Sequence, residues 1–586
     1  MRRILVLPAV LALTAAAPPA AALAAGSSAA ALAAGPLAAS SAASPAAAPL
    51  VAGPAAAQAL AANAPDHDDA ADYVWSSADV RPVTLTGSTA TTTAPGVTVA
   101  GSTVTVAAAG TYSFSGSLTN GRIVVNSTGS GIVRLILNGV TLANSTAAPL
   151  DVVAAPEVMI VLADGTTNRI SDAATHASTD PANAALYSAS NLTITGNGTL
   201  AVTGNAYDGI ASADGLVVNG GTLQVTAVDD GIRGKDYLVV QGGSTTVTAG
   251  GDGLKSDNDE DATRGYVSVA AGTASATATG DAVTAETDVI VSGGTLTAKS
   301  GGGSTVTPGD ASAKGLKAGV SVVISDGRTT VDASDDGVHS DAALTVDGGT
   351  TTVATGDDGV HAEGTLAISA GTVSVTRSYE GLEGLKVLIS GGTVNATATD
   401  DAVNASEEGV PEMQTAPNAT IAVSGGTVVV SGGTDGLDSN GTLALSGGTV
   451  VVAGSPTRGG GEGGLDSNGA LTITGGTVLS TGLSATTSQL PASGQGWISY
   501  AFTANQPAGT VVHLATSAGT QIASFQPTKV FKGVVFSGTG ITRGTTYVIY
   551  TGGTVSGTAV GGGLYTGGTL SGTRVGTVTA GTATRG

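Results

Sequence analysis

Asp230-Gly231-Ile232-Arg233-Gly234-Lys235-Asp236 is followed 22 residues on by Asp252-Gly253-Leu254-Lys255-Ser256-Asp257, and Asp208-Gly209-Ile210 precedes it by the same interval. The opening of an acid, a glycine and an aliphatic residue recurs at Asp336, Asp358, Glu380 and Asp435, and at Asp281 and Asp401 with Ala in place of Gly. Variants stand at Lys314 and Gly463. The successive spacings are 22, 22, 29, 33, 22, 22, 22, 21, 34 and 28, the longer ones carrying insertions. Each copy continues through a short β-rich run, a Gly-Gly-Thr turn such as Gly220-Gly221-Thr222, and a second β-rich run. A unit of this size cannot bury its apolar side alone, so successive copies must stack. The Leu-x-x-Leu-x-Leu core of leucine-rich repeats is absent, and so is a nine-residue period. We therefore read an all-β fold, a parallel β-helix (solenoid) with coils of about 22 residues and a trailing C-terminal β segment. Ile210, Ile232, Leu254, Val283, Leu316, Val338, Val360, Leu382, Val403 and Leu437 are expected to stack inward as one column. At about 4.8 Å per coil, the marked coils span roughly 48 Å.

Working outward, 205–480 is the regular repeat, and 73–204 is strand-rich with looser coils, expected to supply the first turns and an N-terminal cap. After residue 482 the register is lost, so 483–586 reads as a Gly-rich β segment with turns such as Tyr550-Thr551-Gly552-Gly553. Residues 1–25 have the order of a secretory signal peptide: Arg2 and Arg3, an apolar run over 4–13, then small residues. That run is about half of what spans a bilayer, so no transmembrane anchor is expected. Residues 26–63, rich in Ala, Pro and Ser, read as a solvated linker. The expected location is secreted and extracellular, with a linker able to span a cell envelope.

Composition narrows the partner. The chain of 586 residues carries 44 acids against 22 Lys and Arg, a formal charge of −22, which is unsuited to nucleic-acid phosphate. With no Cys there are no disulfides, thiol nucleophiles or Cys-based metal sites. Aromatic residues make up only 3%, so the core must be built from small and branched side chains. A monomer is expected.

Nine of the eleven marker positions are Asp or Glu. Asp before Gly builds turns by bonding local backbone while Gly takes the unusual dihedral, but Asn or Ser would serve as well. Carboxylates stacked about 5 Å apart repel by roughly 3 kcal/mol per pair at an effective dielectric of 20. Calcium, which takes several oxygens, relieves this. The expected metal ligands are Asp208, Asp229, Asp230, Asp252, Asp281, Asp336, Asp358, Glu380 and Asp401, with Asp257, Asp259 and Asp261 of the insertion in the 29-residue copy. Three and five residues after each marker lies an outward pair. These pairs put Arg233, Lys235, Lys255, Lys317, His339, His361 and Glu383 on one polar wall as polysaccharide-binding candidates. His339 and His361, 22 residues apart, read as stacked surface side chains ahead of transition-metal ligands.

The runs beginning at Asp230, Asp252, Ser312 and Tyr379, with Ala109-Gly110-Thr111-Tyr112-Ser113-Phe114-Ser115-Gly116 and Leu135-Ile136-Leu137-Asn138-Gly139-Val140 upstream, resemble the bacterial polysaccharide-lyase-like carbohydrate-binding β-helix family. The resemblance covers roughly 73–480. It implies a right-handed helix, bound calcium, and binding of cellulose and acidic pectin-type sugars by an exported protein. Asp281-Ala282 and Asp401-Ala402 lose the turn glycine and Gly463 loses the acid, departures from the pattern.

Three functions follow. In the first, calcium bridges the acidic wall to uronate carboxylates, and the module binds without catalysing. The second is calcium-dependent polysaccharide (pectate) lysis with Lys255 or Lys317 as base, although neighbouring carboxylates raise a Lys pKa, the wrong direction for a base. The third is a structural surface adhesin. Scarce aromatics argue against stacking on crystalline glucan.

Overall fold

The computed structural model describes residues 54–176, 182–457 and 462–585. The signal-peptide reading of 1–25, and the linker reading as far as residue 53, lie outside the described residues.

The repeats pair through three ladders of parallel strands. In the first, Asp208–Ser212, Ile232–Gly234, Leu254–Ser256, Val283–Ala285, Leu316–Ala318 and Val338–Ser340 pair in sequence order, and the series runs on to Leu465–Ser467. Gly215–Val218, Tyr237–Val240, Tyr266–Val269, Asp288–Val291 and Ser321–Ile324 begin the second. Thr222–Ala227, Ser244–Ala249, Thr273–Ala278, Thr295–Ser300 and Arg328–Ala333 begin the third. Each strand therefore bonds the equivalent strand one repeat later, as stacking of the 22-residue unit requires. The protein is nearly all β, built on a large sheet of parallel strands.

Register places like on like. Ile232, Leu254, Val283, Leu316 and Val338 lie opposite one another and are wholly buried. Burying one such side chain stabilises by about 1.5–3 kcal/mol, so the column repeats that gain once per copy. Strand side chains alternate, so Arg233 and Lys255, the residues between, face outward and are half-buried.

The two glycine classes serve different ends. In the Gly-Gly-Thr turns the second glycine has positive φ, +83° at Gly221 and +71° at Gly243. The glycine after the acid does not, which corrects the turn-dihedral reading. A Cβ on Gly231 would lie 2.1 Å from Val247 Cγ1 and 2.7 Å from Gly253 O. There the backbone passes against the third ladder, and only hydrogen fits.

Part of the expected linker is packed. Helix Ala56–Ala62 buries Ala56 and Ala59 against Ile290 and Val323 of the second ladder. The chain beyond it is tied to the same ladder. Asn63 donates to Asp288 Oδ2 at 2.7 Å, Tyr266 OH donates to Ala64 O at 3.0 Å, and His67 Nδ1 lies 2.9 Å from Tyr237 OH. Tyr237 and Tyr266 stack with ring centroids 5.4 Å apart beneath this strap.

At the other end, Thr477–Gly482 pairs antiparallel with Phe531–Ser537, which also pairs with Trp497–Gln506. A six-stranded antiparallel sheet adjoins it. Phe502, Phe525, Phe531 and Phe536 fill the core there with Val451 and Leu479. Four of the five Phe are thus spent on the C-terminal cap.

Candidate functional site: an acidic column and its cleft

The marker aspartates carry hydrogen bonds between repeats. The backbone N–H of Asp252 donates to Asp230 Oδ1 at 2.8 Å, that of Asp281 to Asp252 Oδ1 at 2.9 Å, and that of Lys314 to Asp281 Oδ1 at 2.7 Å. Asp358 N–H to Asp336, Glu380 N–H to Asp358 and Asp435 N–H to Asp401 continue the series at 3.2, 3.1 and 2.7 Å. One oxygen of each of these aspartates caps the next repeat, which leaves the other for side-chain partners.

In the first half of the column those remaining oxygens meet the protein's own cations. The residue three after a marker reaches back to the acid of the preceding repeat. Arg233 Nε lies 3.0 Å from Asp208, Lys255 Nζ 2.9 Å from Asp230, and Lys317 Nζ 3.7 Å from Asp281. Lys255 also lies 2.9 Å from Asp252, and Lys314 2.6 Å from Asp336. Burial still pushes Asp208 up to about 7, Arg233 pulling the other way. For Asp336 burial would do the same, but His339, His361 and Lys314 override it and hold its carboxyl well below the usual range.

The acidic insertion is similarly engaged. Asp257 pairs with Arg233 at 3.3 Å, Glu260 with Lys235 at 3.5 Å and Asp261 with Arg264 at 3.4 Å. Asn258 Oδ1 caps the turn by accepting from Glu260 N–H and Asp261 N–H, both at 3.0 Å. Asp229 and Asp259 are exposed, Asp229 within reach of Asp208 and Asp230. The structure thus ties the insertion to Arg233, Lys235 and Arg264 by ion pairs.

The second half of the column differs. A cleft of about 790 Å³ is lined by Glu380, Asp401, Asp435, Asp438, Glu412 and Asp466 among others, and by no Lys, Arg or His among the described residues. One oxygen each of Asp401, Asp435 and Asp438 lies within 4.8 Å of the others. Burial, then mutual repulsion, pushes Asp438 up to about 7; burial also takes Asp401 to about 7 and Asp435 to about 8 against a backbone bond to each. Asp358 and Glu380 are raised too, by burial and by Glu383. Two buried oxygens lining this region, Glu380 Oε2 and Asn404 Oδ1, have no hydrogen-bond partner. An all-oxygen donor set with unpartnered buried oxygens suits a hard cation such as calcium.

Asp435 and Asp438 are absent from the sequence-derived ligand set. Asp435 is a marker, and Asp438 stands where earlier repeats carry Arg233, Lys255 and His339. The loss of a basic residue at that position is the signal that could have located the cleft.

His339 also departs from expectation. It is buried, at 7% exposure, and meets His361 edge to face at 89° with centroids 4.9 Å apart, so the two do not stack on the surface. Glu383 Oε2 lies 3.6 Å from His361 Nε2.

Residues 100–359 and 357–493 match the family described as "Carbohydrate-binding domain-containing protein". The matches cover about two thirds of the chain, and the chain belongs to that family. Among solved structures, the polysaccharide lyase-like protein from C. thermocellum, as its gadolinium derivative, is 27% identical. The match covers 49% of this chain and 96% of that one, with a TM-score of 0.35. No curated protein matches the chain. Among the described residues no helix is long and apolar enough to cross a membrane.

Proposed function

We propose that the protein is an exported carbohydrate-binding module on a right-handed parallel β-helix, and that it holds acidic, pectin-type polysaccharide through calcium. The observation that carries this reading is the cleft around Asp401, Asp435 and Asp438, acidic and without basic lining among the described residues. Asp401, Asp435, Asp438 and Glu380 would hold the ion. Calcium with coordination positions to spare takes uronate carboxylates as further ligands, which joins two anions that otherwise repel. Cellulose fits less well, because Tyr237 and Tyr266 are buried under the N-terminal strap while Tyr207 and Tyr379 are the partly exposed pair.

A lyase reading is not favoured at Lys255. Burial would lower Lys255, but its hydrogen bonds to the Asp252 and Asp230 carboxylates override it and raise its pKa, so the ammonium keeps its proton. The test is retention on immobilised polygalacturonate in calcium and in chelator, with absorbance at the elimination product's wavelength followed in parallel. Calcium-dependent retention without absorbance growth is expected. Equal elution in both buffers would sink the reading.

A further inference from the structure

His339 and His361 stand opposite one another in consecutive repeats. Both Nδ1 atoms lie close to one carboxylate oxygen: Asp336 Oδ2 is 2.9 Å from His339 Nδ1 and 3.6 Å from His361 Nδ1. A second carboxylate, Asp358 Oδ2, lies 3.9 Å from His361 Nδ1. Both Nδ1 atoms are buried, yet neither makes a hydrogen bond. Close approach without hydrogen-bonding direction is how ligand atoms around a shared ion are arranged. Tetrahedral zinc, with bonds of about 2.0–2.1 Å, sets neighbouring ligand atoms about 3.3 Å apart, and the observed separations bracket that value.

The far ring nitrogens complete the pattern. His339 Nε2 donates to Asp341 Oδ1 at 3.0 Å, and His361 Nε2 faces Glu383 at 3.6 Å and Glu363 at 3.8 Å. A carboxylate behind a ligating imidazole fixes the proton on Nε2 and leaves the Nδ1 lone pair for metal. Lys314 Nζ donates to Asp336 Oδ2 at 2.6 Å and to Asp335 Oδ1 at 3.0 Å, so it keeps a partner when Oδ2 turns to an ion. Imidazole nitrogen favours zinc-class metals over calcium, which prefers oxygen alone.

We propose that Asp336, His339 and His361, with Asp358 as fourth donor, form a binding site for a zinc-class divalent metal, separate from the oxygen-lined cleft. The full chain, stripped with chelator and supplied with excess calcium, is titrated with zinc chloride by calorimetry. One zinc per chain is expected, with affinity at least tenfold weaker in His339→Ala and in His361→Ala and unchanged in Asp435→Asn. Cobalt(II) added to the unmutated chain should give the intense visible bands of a tetrahedral site, a readout that needs no variant. Absent zinc uptake, uptake unchanged in His339→Ala/His361→Ala, or only the weak cobalt spectrum of an octahedral ion would overturn the proposal. The site stands independently of the polysaccharide reading, because the zinc titration is read with no polysaccharide present.

Discussion

Asp230 accepts the backbone N–H of Asp252 on Oδ1 at 2.8 Å, while its Oδ2 lies 2.9 Å from Lys255 Nζ. A single carboxylate thus joins two repeats through one oxygen and neutralises a neighbour through the other. Asp230→Ala removes both and leaves a half-buried N–H unsatisfied, at a cost of about 1–3 kcal/mol. Asp230→Asn keeps an acceptor for the N–H and should recover a large part of that in urea denaturation. If Asn were as damaging as Ala, the interrepeat bond would not be what Asp230 supplies.

Gly231→Ala drives a methyl group into Val247 Cγ1, 2.1 Å away. Overpacking of this kind costs about 1–3 kcal/mol. Because the obstacle is a side chain as well as Gly253 O, the double variant Gly231→Ala/Val247→Ala should be less destabilised than the two single effects added together. Additive losses in a double-mutant cycle would locate the strain in the backbone alone.

Asp401, Asp435 and Asp438 have folded values of about 7, 8 and 7. An unfolded carboxylate titrates near 3.9. Between those limits the native chain holds protons that the unfolded chain has released, so stability in chelator falls as pH rises from about 4 to about 8. Calcium takes the place of those protons and should flatten the fall or reverse it. Melting temperature followed against pH, with and without calcium, reads the difference.

Asp435→Asn removes one of the mutually repelling carboxylates. In chelator at alkaline pH it should melt higher, by about 1 kcal/mol of added stability, while binding calcium at least about tenfold more weakly. Calorimetry and thermal melts on the same sample separate the two effects. A variant that lost both stability and calcium affinity would mark Asp435 as structural.

The ladders were readable because the period forces register: once Asp208, Asp230 and Asp252 recur at 22, Ile210, Ile232 and Leu254 must face each other. The acids were also legible as a column. Which part of it could take a metal was not, since that depends on Arg233, Lys255 and Lys317 reaching back one repeat, a distance the linear pattern does not display. The burial of His339 and the docking of helix Ala56–Ala62 were hidden for a related reason. Both are set by contacts between repeats or between distant segments, and an Ala-rich stretch looks the same in sequence whether it is solvated or seated on Ile290 and Val323.

The antiparallel pairing of Thr477–Gly482 with Phe531–Ser537 has a consequence for growth. A stack of parallel strands left open presents a row of free N–H and C=O groups, onto which another copy can add as it would onto a fibril end. Here the last strand of the third ladder is already occupied by a strand of opposite direction belonging to the same chain. At the beginning, Ala90–Thr92 folds back antiparallel on Val80–Gly87. Polymerisation by strand addition is thereby discouraged at each end, and the number of repeats is set by translation, not by assembly.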